Sequence, residues 1–328
     1  IQSDGSAMAT TSPHMVRRWP RIRSLRCCRI VGKRVRHMAE QVAIAFAIGY
    51  VGDAFHGSQI QPEIRTVQRD LEIAIKKAKF AGQEPKFKLA SRTDAGVNAR
   101  MNVGVCKIPK DVWQSMGEIR FRRAINDHLS DAVIWAATAA KPKFNPRMAL
   151  RRIYRYRLEC MREFNNDYDE KIVTEAMAHF EGTHDFTGFC RPEDGRETRR
   201  AIDWCKPWRI DGRLVGFEIA AQSFLWNQVR RIAWTLGSVA QGICSLDQIN
   251  HSLESGEELP QFGMGSSRWL TLWEIEYDDV SFDDATKNLY SNITAPSKGL
   301  GERRFPLWQE ASDLEQKRML LESWIPAL

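Results

Sequence analysis

No stretch of the 328-residue chain approaches the about 18 consecutive apolar residues that a membrane-spanning helix requires. The longest apolar run, Val42 to Ile48, has the length of a strand, so no membrane partner is expected. The seven cysteines (Cys27, Cys28, Cys106, Cys160, Cys190, Cys205 and Cys244) include no C-x-x-C pair and no regular spacing. That scatter argues against a disulfide framework or a zinc site, and it fits a reducing cytoplasm in which most cysteines are small core residues. The chain also lacks a phosphate-binding glycine loop and a cluster with metal-ligand spacing, so neither nucleotide-driven nor metal chemistry is indicated. An excess of one charge is missing from most of the chain as well. The formal charge is +7, yet residues 1–37 hold nine of the 48 Lys and Arg against one of the 41 Asp and Glu. The remaining 39 basic and 40 acidic residues nearly cancel, so any polyanion-binding argument must rest on local clusters.

What is present is an ordinary globular composition, 43% hydrophobic and 27% charged, in a chain long enough for one large domain or two. Residues 1–40 form a basic N-terminal extension that reads as disordered or partly non-native, with no convincing apolar period. Beyond it, Val42–Ile48 reads as a buried strand. Thr66 can cap a helix whose apolar positions Val67, Leu71, Ile75 and Ala78 recur every three or four residues. Strands are expected at 86–89, 103–108 and 132–137, with a helix at 121–129. A second half follows: a long alternating strand from Arg152 to Cys160, a helix at 168–180, strands at 198–204 and 214–221, a long helix from Phe224 to Gln241, and a strand at 269–277 that closes the sheet. Two halves of this kind, 41–150 and 151–280, predict an α+β fold with a mostly antiparallel sheet rather than a doubly wound parallel one. Residues 281–328 form a C-terminal extension to which no role attaches.

The most informative run is Ala90-Ser91-Arg92-Thr93-Asp94-Ala95-Gly96-Val97-Asn98-Ala99, which follows the short 86–89 strand. On extended backbone Arg92 and Asp94 point to the same face, so they can share one pocket, and Gly96 permits a turn or a close backbone approach. The residues alone leave two readings open: a carboxylate held for chemistry, or an aspartate capping a turn.

The run resembles the signature of the TruA family of tRNA pseudouridine synthases. Four further segments are similar to that family in the same order. They are 50–59 leading to Thr66-Val67-Gln68, then Phe144-Asn145-Pro146-Arg147 with Arg152-Ile153-Tyr154-Arg155-Tyr156, then Asp185-Phe186-Thr187-Gly188-Phe189, and finally Ser223 to Ile232. Asn98 stands where the bacterial pattern has histidine, and His56-Gly57-Ser58-Gln59 also departs from it; both forms look like the archaeal branch.

The resemblance implies a pseudouridine synthase fold, with two similar halves sharing a sheet and a central RNA-binding cleft. It implies an isomerase that converts uridine to pseudouridine in the tRNA anticodon arm, near positions 38–40, without a cofactor. By motif match Asp94 is the catalytic carboxylate near the anomeric carbon, acting either by attack on C1′ or by removal of the 2′ proton. Arg230 matches the arginine that pairs with it, as an ionised carboxylate in a water-poor site requires. Tyr154 matches the tyrosine that stacks on the target base, and Arg92 is left to hold the RNA. Arg147, Arg151, Arg155, Arg157, Arg199 and Arg200 are candidate phosphate contacts, with Arg151, Arg155 and Arg157 on the strand face opposite Arg152, Tyr154 and Tyr156. His56, His128, His179 and His184 show no ligand pattern and read as structural or surface residues. The partner implied is tRNA, and the family's bacterial members imply a homodimer. The rival readings are a non-catalytic RNA-binding module or RNA chaperone on the same fold, and a nucleoside hydrolase-like enzyme; the latter would need a paired acid or an Asp-rich metal site, and neither is found.

Overall fold

The computed structural model describes residues 40–80, 87–164, 167–259 and 263–282, together with Glu310 and Leu314. The arginine-rich segment 17–36 and most of the C-terminal extension lie outside the described residues. In the N-terminal half, β1 (Gln41–Tyr50) is buried from Ala43 to Ile48 because it lies between two antiparallel partners, β3 (Asn98–Pro109) and β4 (Ala132–Ala140). The short β2 (Phe87–Leu89) pairs with residues 104–106 of β3. Two helices pack on this half. In α1 (Val67–Lys77) the Thr66 hydroxyl accepts the Arg69 N–H, and Val67, Leu71 and Ile75 are buried. In α2 (Lys110–Asn126), which starts well before its expected position, Gly117 at φ +63° interrupts the helical turns and aims the second part at the core through Phe121 and Ile125.

The C-terminal half contains β5 (Arg151–Tyr156), α3 (Glu170–His179), β6 (Gly182–Asp185), β7 (Arg199–Ile210), β8 (Arg213–Ala221), α4 (Gln228–Ala240), α5 (Leu246–Ser255) and β9 (Leu270–Glu276). One sheet joins both halves in the order β4-β1-β3-β9-β5-β8-β7-β6. Among the described residues every pairing is antiparallel except one, in which Asn98 and Ala99 of β3 run parallel to Thr271 and Leu272 of β9. The fold is therefore α+β with a single mostly antiparallel sheet.

Three further sequence expectations change. The strand expected to reach Cys160 stops at Tyr156, because the Arg157 N–H bonds to the Trp269 carbonyl and Leu158–Cys160 coil into a 3₁₀ turn. The helix expected from Phe224 begins at Gln228, because Asn227 is left-handed (φ +65°, ψ +4°) and no helix can pass through it. Finally, β9 does not close an edge: it lies in the middle of the sheet, between β3 and β5.

Candidate active site

Along one side of β3, β2 covers one end and β9 the other. The chain leaving β2 must turn off at the gap between them, and residues 90–97 are that departure. Asn102 of β3 fills the gap with its own amide. Its Oδ1 accepts the Val103 N–H at 2.9 Å and the Ser91 N–H at 3.3 Å, while its Nδ2 donates to the Ser91 carbonyl at 2.9 Å. A fully buried asparagine thus replaces the missing strand neighbour.

The 50–59 segment supports the loop from one side. Tyr50 Oη and Thr93 Oγ1 lie 2.9 Å apart, the Thr93 N–H donates to Ser58 Oγ at 2.8 Å, and the Ser58 N–H donates to the Thr93 carbonyl at 3.0 Å. A Cβ on Gly52 would lie 2.5 Å from the backbone of Gly96 and Val97, so only glycine permits this approach. Asn98 ties the loop's end to both sides: its Oδ1 accepts the Gly52 N–H and its Nδ2 donates to the Arg268 carbonyl, both at 2.9 Å.

Support from the other half comes from Arg152 on β5, which is 8% exposed. Its Nε donates to Ser91 Oγ at 2.9 Å; its Nη2 donates to the carbonyls of Ala90 and Arg147, and its Nη1 to that of Gln222. A single guanidinium thereby fastens the loop, the 144–147 segment and the end of β8 together.

Asp94 emerges from this frame into a cleft of about 750 Å³ lined by both halves. Arg230 Nη1 approaches Asp94 Oδ2 at 3.5 Å, while Arg230 Nε donates to the Gly265 carbonyl at 2.8 Å and the Gly265 N–H returns a bond to the Arg230 carbonyl. The Asp94 side chain keeps 38% of its surface open, so the carboxylate faces the cleft rather than the core. Tyr154, beside it, is buried and meets Phe224 edge to face at 5.1 Å. Burial pushes its phenol well above the usual tyrosine range, with nearby Asp94 adding to the effect, while Arg152 and a hydrogen bond with Ser91 oppose it. Burial and the nearby carboxylate thus favour the neutral phenol over the phenolate.

The other named residues separate clearly. Arg92 and Arg147 line the cleft and are exposed; His56 lines it too. Arg151, Arg155 and Arg157 do not. Arg151 is ion-paired with Asp203 and Glu276, Arg155 with Glu218 beneath the Trp273 ring, and Arg157 with Glu159. Arg199 begins β7 opposite Asp185, and Arg200 donates to the carbonyls of Glu197 and Arg199. Phe224, Trp226 and Asn227 also line the cleft and were not singled out from the sequence, although they sit beside Arg230 in the 223–232 segment. Among the described residues no group of His, Cys, Asp and Glu could hold a metal ion, and no helix is long and apolar enough to cross a membrane.

Residues 176–278 match a family model described as tRNA pseudouridine synthase. The chain is 35% identical over 244 residues to tRNA pseudouridine synthase A of Pyrococcus furiosus, a match spanning 73% of this chain and 85% of that protein. The corresponding protein of Thermococcus kodakarensis is 32% identical, with 75% and 89% covered. That of Methanobrevibacter smithii is 31% identical over 305 residues, with 87% and 96% covered.

Proposed function

The chain belongs to the tRNA pseudouridine synthase family, and from that premise we propose that it isomerises uridine to pseudouridine in the anticodon arm of tRNA, near positions 38–40, with Asp94 as the catalytic carboxylate. The observation that carries the reading is the meeting of Asp94, Arg230 and Tyr154 in one cleft walled by both halves of the chain.

The reaction breaks the C1′–N1 bond, turns the uracil and forms a C1′–C5 bond; C5 loses a proton and N1 gains one. Nothing is oxidised and no group leaves, so one carboxylate is enough where a hydrolase needs two. Asp94 acts beside the glycosidic bond by one of two routes, attack on C1′ or removal of the proton from C2′. Arg230 holds the carboxylate in place and is itself held by Gly265. Tyr154, backed by Phe224, offers an aromatic face to the extruded base, a contact of about 1–3 kcal/mol that offsets part of the cost of unstacking. Arg92 and Arg147, exposed at the same cleft, contact the phosphates. Residues 41–150 and 151–280 act as two catalytic halves, and the enzyme works as a homodimer. The cytoplasm suits a chain whose described cysteines are all free thiols.

The test is to incubate the protein and its Asp94→Ala variant with unmodified tRNA transcripts and map pseudouridine at each position. Product near positions 38–40 with the wild type, and none with a folded Asp94→Ala variant, is the expected result. Equal product from both removes Asp94 from the chemistry, and product elsewhere in the tRNA moves the target site.

A further inference from the structure

Trp226 is the most exposed of the described tryptophans, at 39%, and it lies in the wall of the cleft that holds Asp94. Its neighbours on both sides are fixed. Leu225 before it is buried, and Asn227 after it occupies the left-handed region at φ +65°, which no β-branched residue tolerates easily. The Trp226 carbonyl accepts the Arg191 N–H at 2.8 Å, and the Arg191 guanidinium lies 4.2 Å from the indole centroid. The ring is thus an oriented aromatic plane with a cation over one face, held at the mouth of a polar cleft. Tyr154, at 8% exposed, lies deeper and next to Asp94, so it has the position for the target base and Trp226 does not. The same cleft is lined by Arg196, paired with Glu193, a cation of the kind that meets a backbone phosphate.

We infer that Trp226, capped by Arg191, is a second base-binding site that stacks the nucleotide adjoining the flipped uridine. This rests on the proposed reaction, because extruding one base unstacks its neighbour and leaves an apolar face in need of cover. A rigid indole meets that need with little loss of side-chain freedom, and it accepts any base identity.

The experiment compares wild type, Trp226→Ala and Trp226→Phe on an intact tRNA transcript and on transcripts with an abasic residue immediately 5′ or 3′ of the modified uridine. Trp226→Ala raises KM about tenfold, equivalent to about 1.4 kcal/mol, with a much smaller change in kcat, and Trp226→Phe recovers most of the loss. One of the two abasic transcripts raises KM similarly for the wild type and adds nothing further to Trp226→Ala. An unchanged KM for Trp226→Ala overturns the inference, as does full additivity with both abasic transcripts, while wild-type product formation leaves the reaction itself standing. If the wild type forms no pseudouridine, the reaction assignment fails instead. The same transcripts then decide the stacking site through Kd: an equal Kd for wild type and Trp226→Ala overturns it.

Discussion

Arg230 Nη1 and Asp94 Oδ2 lie 3.5 Å apart across 136 residues of sequence, and the same guanidinium is bonded through Nε to the Gly265 carbonyl. The arginine is therefore aimed before any RNA arrives. A lysine retains the charge but has no fork with which to hold Gly265 and Asp94 at once. Arg230→Lys is expected to lower kcat by about 10²-fold, as misplacement of a reacting group does. The lost hydrogen bond costs about 1 kcal/mol of stability. Single-turnover kinetics beside a thermal melt separate the two effects. A variant with wild-type kcat shows that the charge alone suffices.

Arg152 presents a different balance, because its partners are neutral and mostly buried. Replacing it with methionine fills similar space but leaves Ser91 Oγ and the carbonyls of Ala90, Arg147 and Gln222 without their donor. The expected loss is about 2–4 kcal/mol in urea unfolding. Turnover should fall further than stability alone accounts for, because the loop that carries Asp94 is no longer fastened. A loss below about 1 kcal/mol would show that water takes over the bonds.

Gly52 tests the same loop from its other side. Alanine there brings a methyl group to within 2.5 Å of the Gly96 and Val97 backbone, and neither neighbour is a side chain that can swing aside. Gly52→Ala is expected to cost about 1–3 kcal/mol and to depress kcat by shifting Asp94. Thermal melting and turnover on the same sample provide the check.

Burial raises the phenol of Tyr154, and those of Tyr50, Tyr156 and Tyr277 move the same way for the same cause. A folded-state value above the unfolded one means that the neutral phenols stabilise the fold fully below about pH 10. The contribution is lost as pH climbs from there through the folded values, since the unfolded chain ionises first. Urea midpoints should thus hold steady to about pH 9 and drop steeply beyond about pH 10. Tyr154→Phe should lessen that slope and leave the pH–rate profile between pH 7 and 9 unshifted. A profile that loses an inflection in the variant would identify Tyr154 as an ionising catalyst.

Much of this arrangement is written in local sequence. Thr66 and its apolar repeat specify α1, and the strand period correctly separates Arg151 and Arg155 from Arg152, Tyr154 and Tyr156. What the period does not contain is which face holds the cleft. That depends on Asp203, Glu218 and Glu276, carboxylates from β7, β8 and β9 that engage the outward arginines. The start of α4 was obscured for a related reason: the apolar spacing of Leu225, Val229 and Ile232 runs unbroken through a residue whose backbone is left-handed. Trp226 carries no periodic signal at all. Its exposure is a property of the assembled wall and is invisible until both halves are in place.

The placement of β9 has a consequence for how the enzyme comes into being. This strand is the last of the sheet to be synthesised, yet it lies at the middle, bridging β3 to β5 and bringing Arg268 to Asn98. A chain still growing on the ribosome can form each half separately, but the side of β5 that will pair with β9 stays open until residue 276 has emerged. Joining the halves requires contacts between residues 170 and 173 positions apart, and pairing of such long range is expected to form more slowly than the pairings within each half. A chain cut before β9 is therefore expected to lack both the bridge between β3 and β5 and the Asn98–Arg268 contact, so the cleft walled by both halves should not assemble in it.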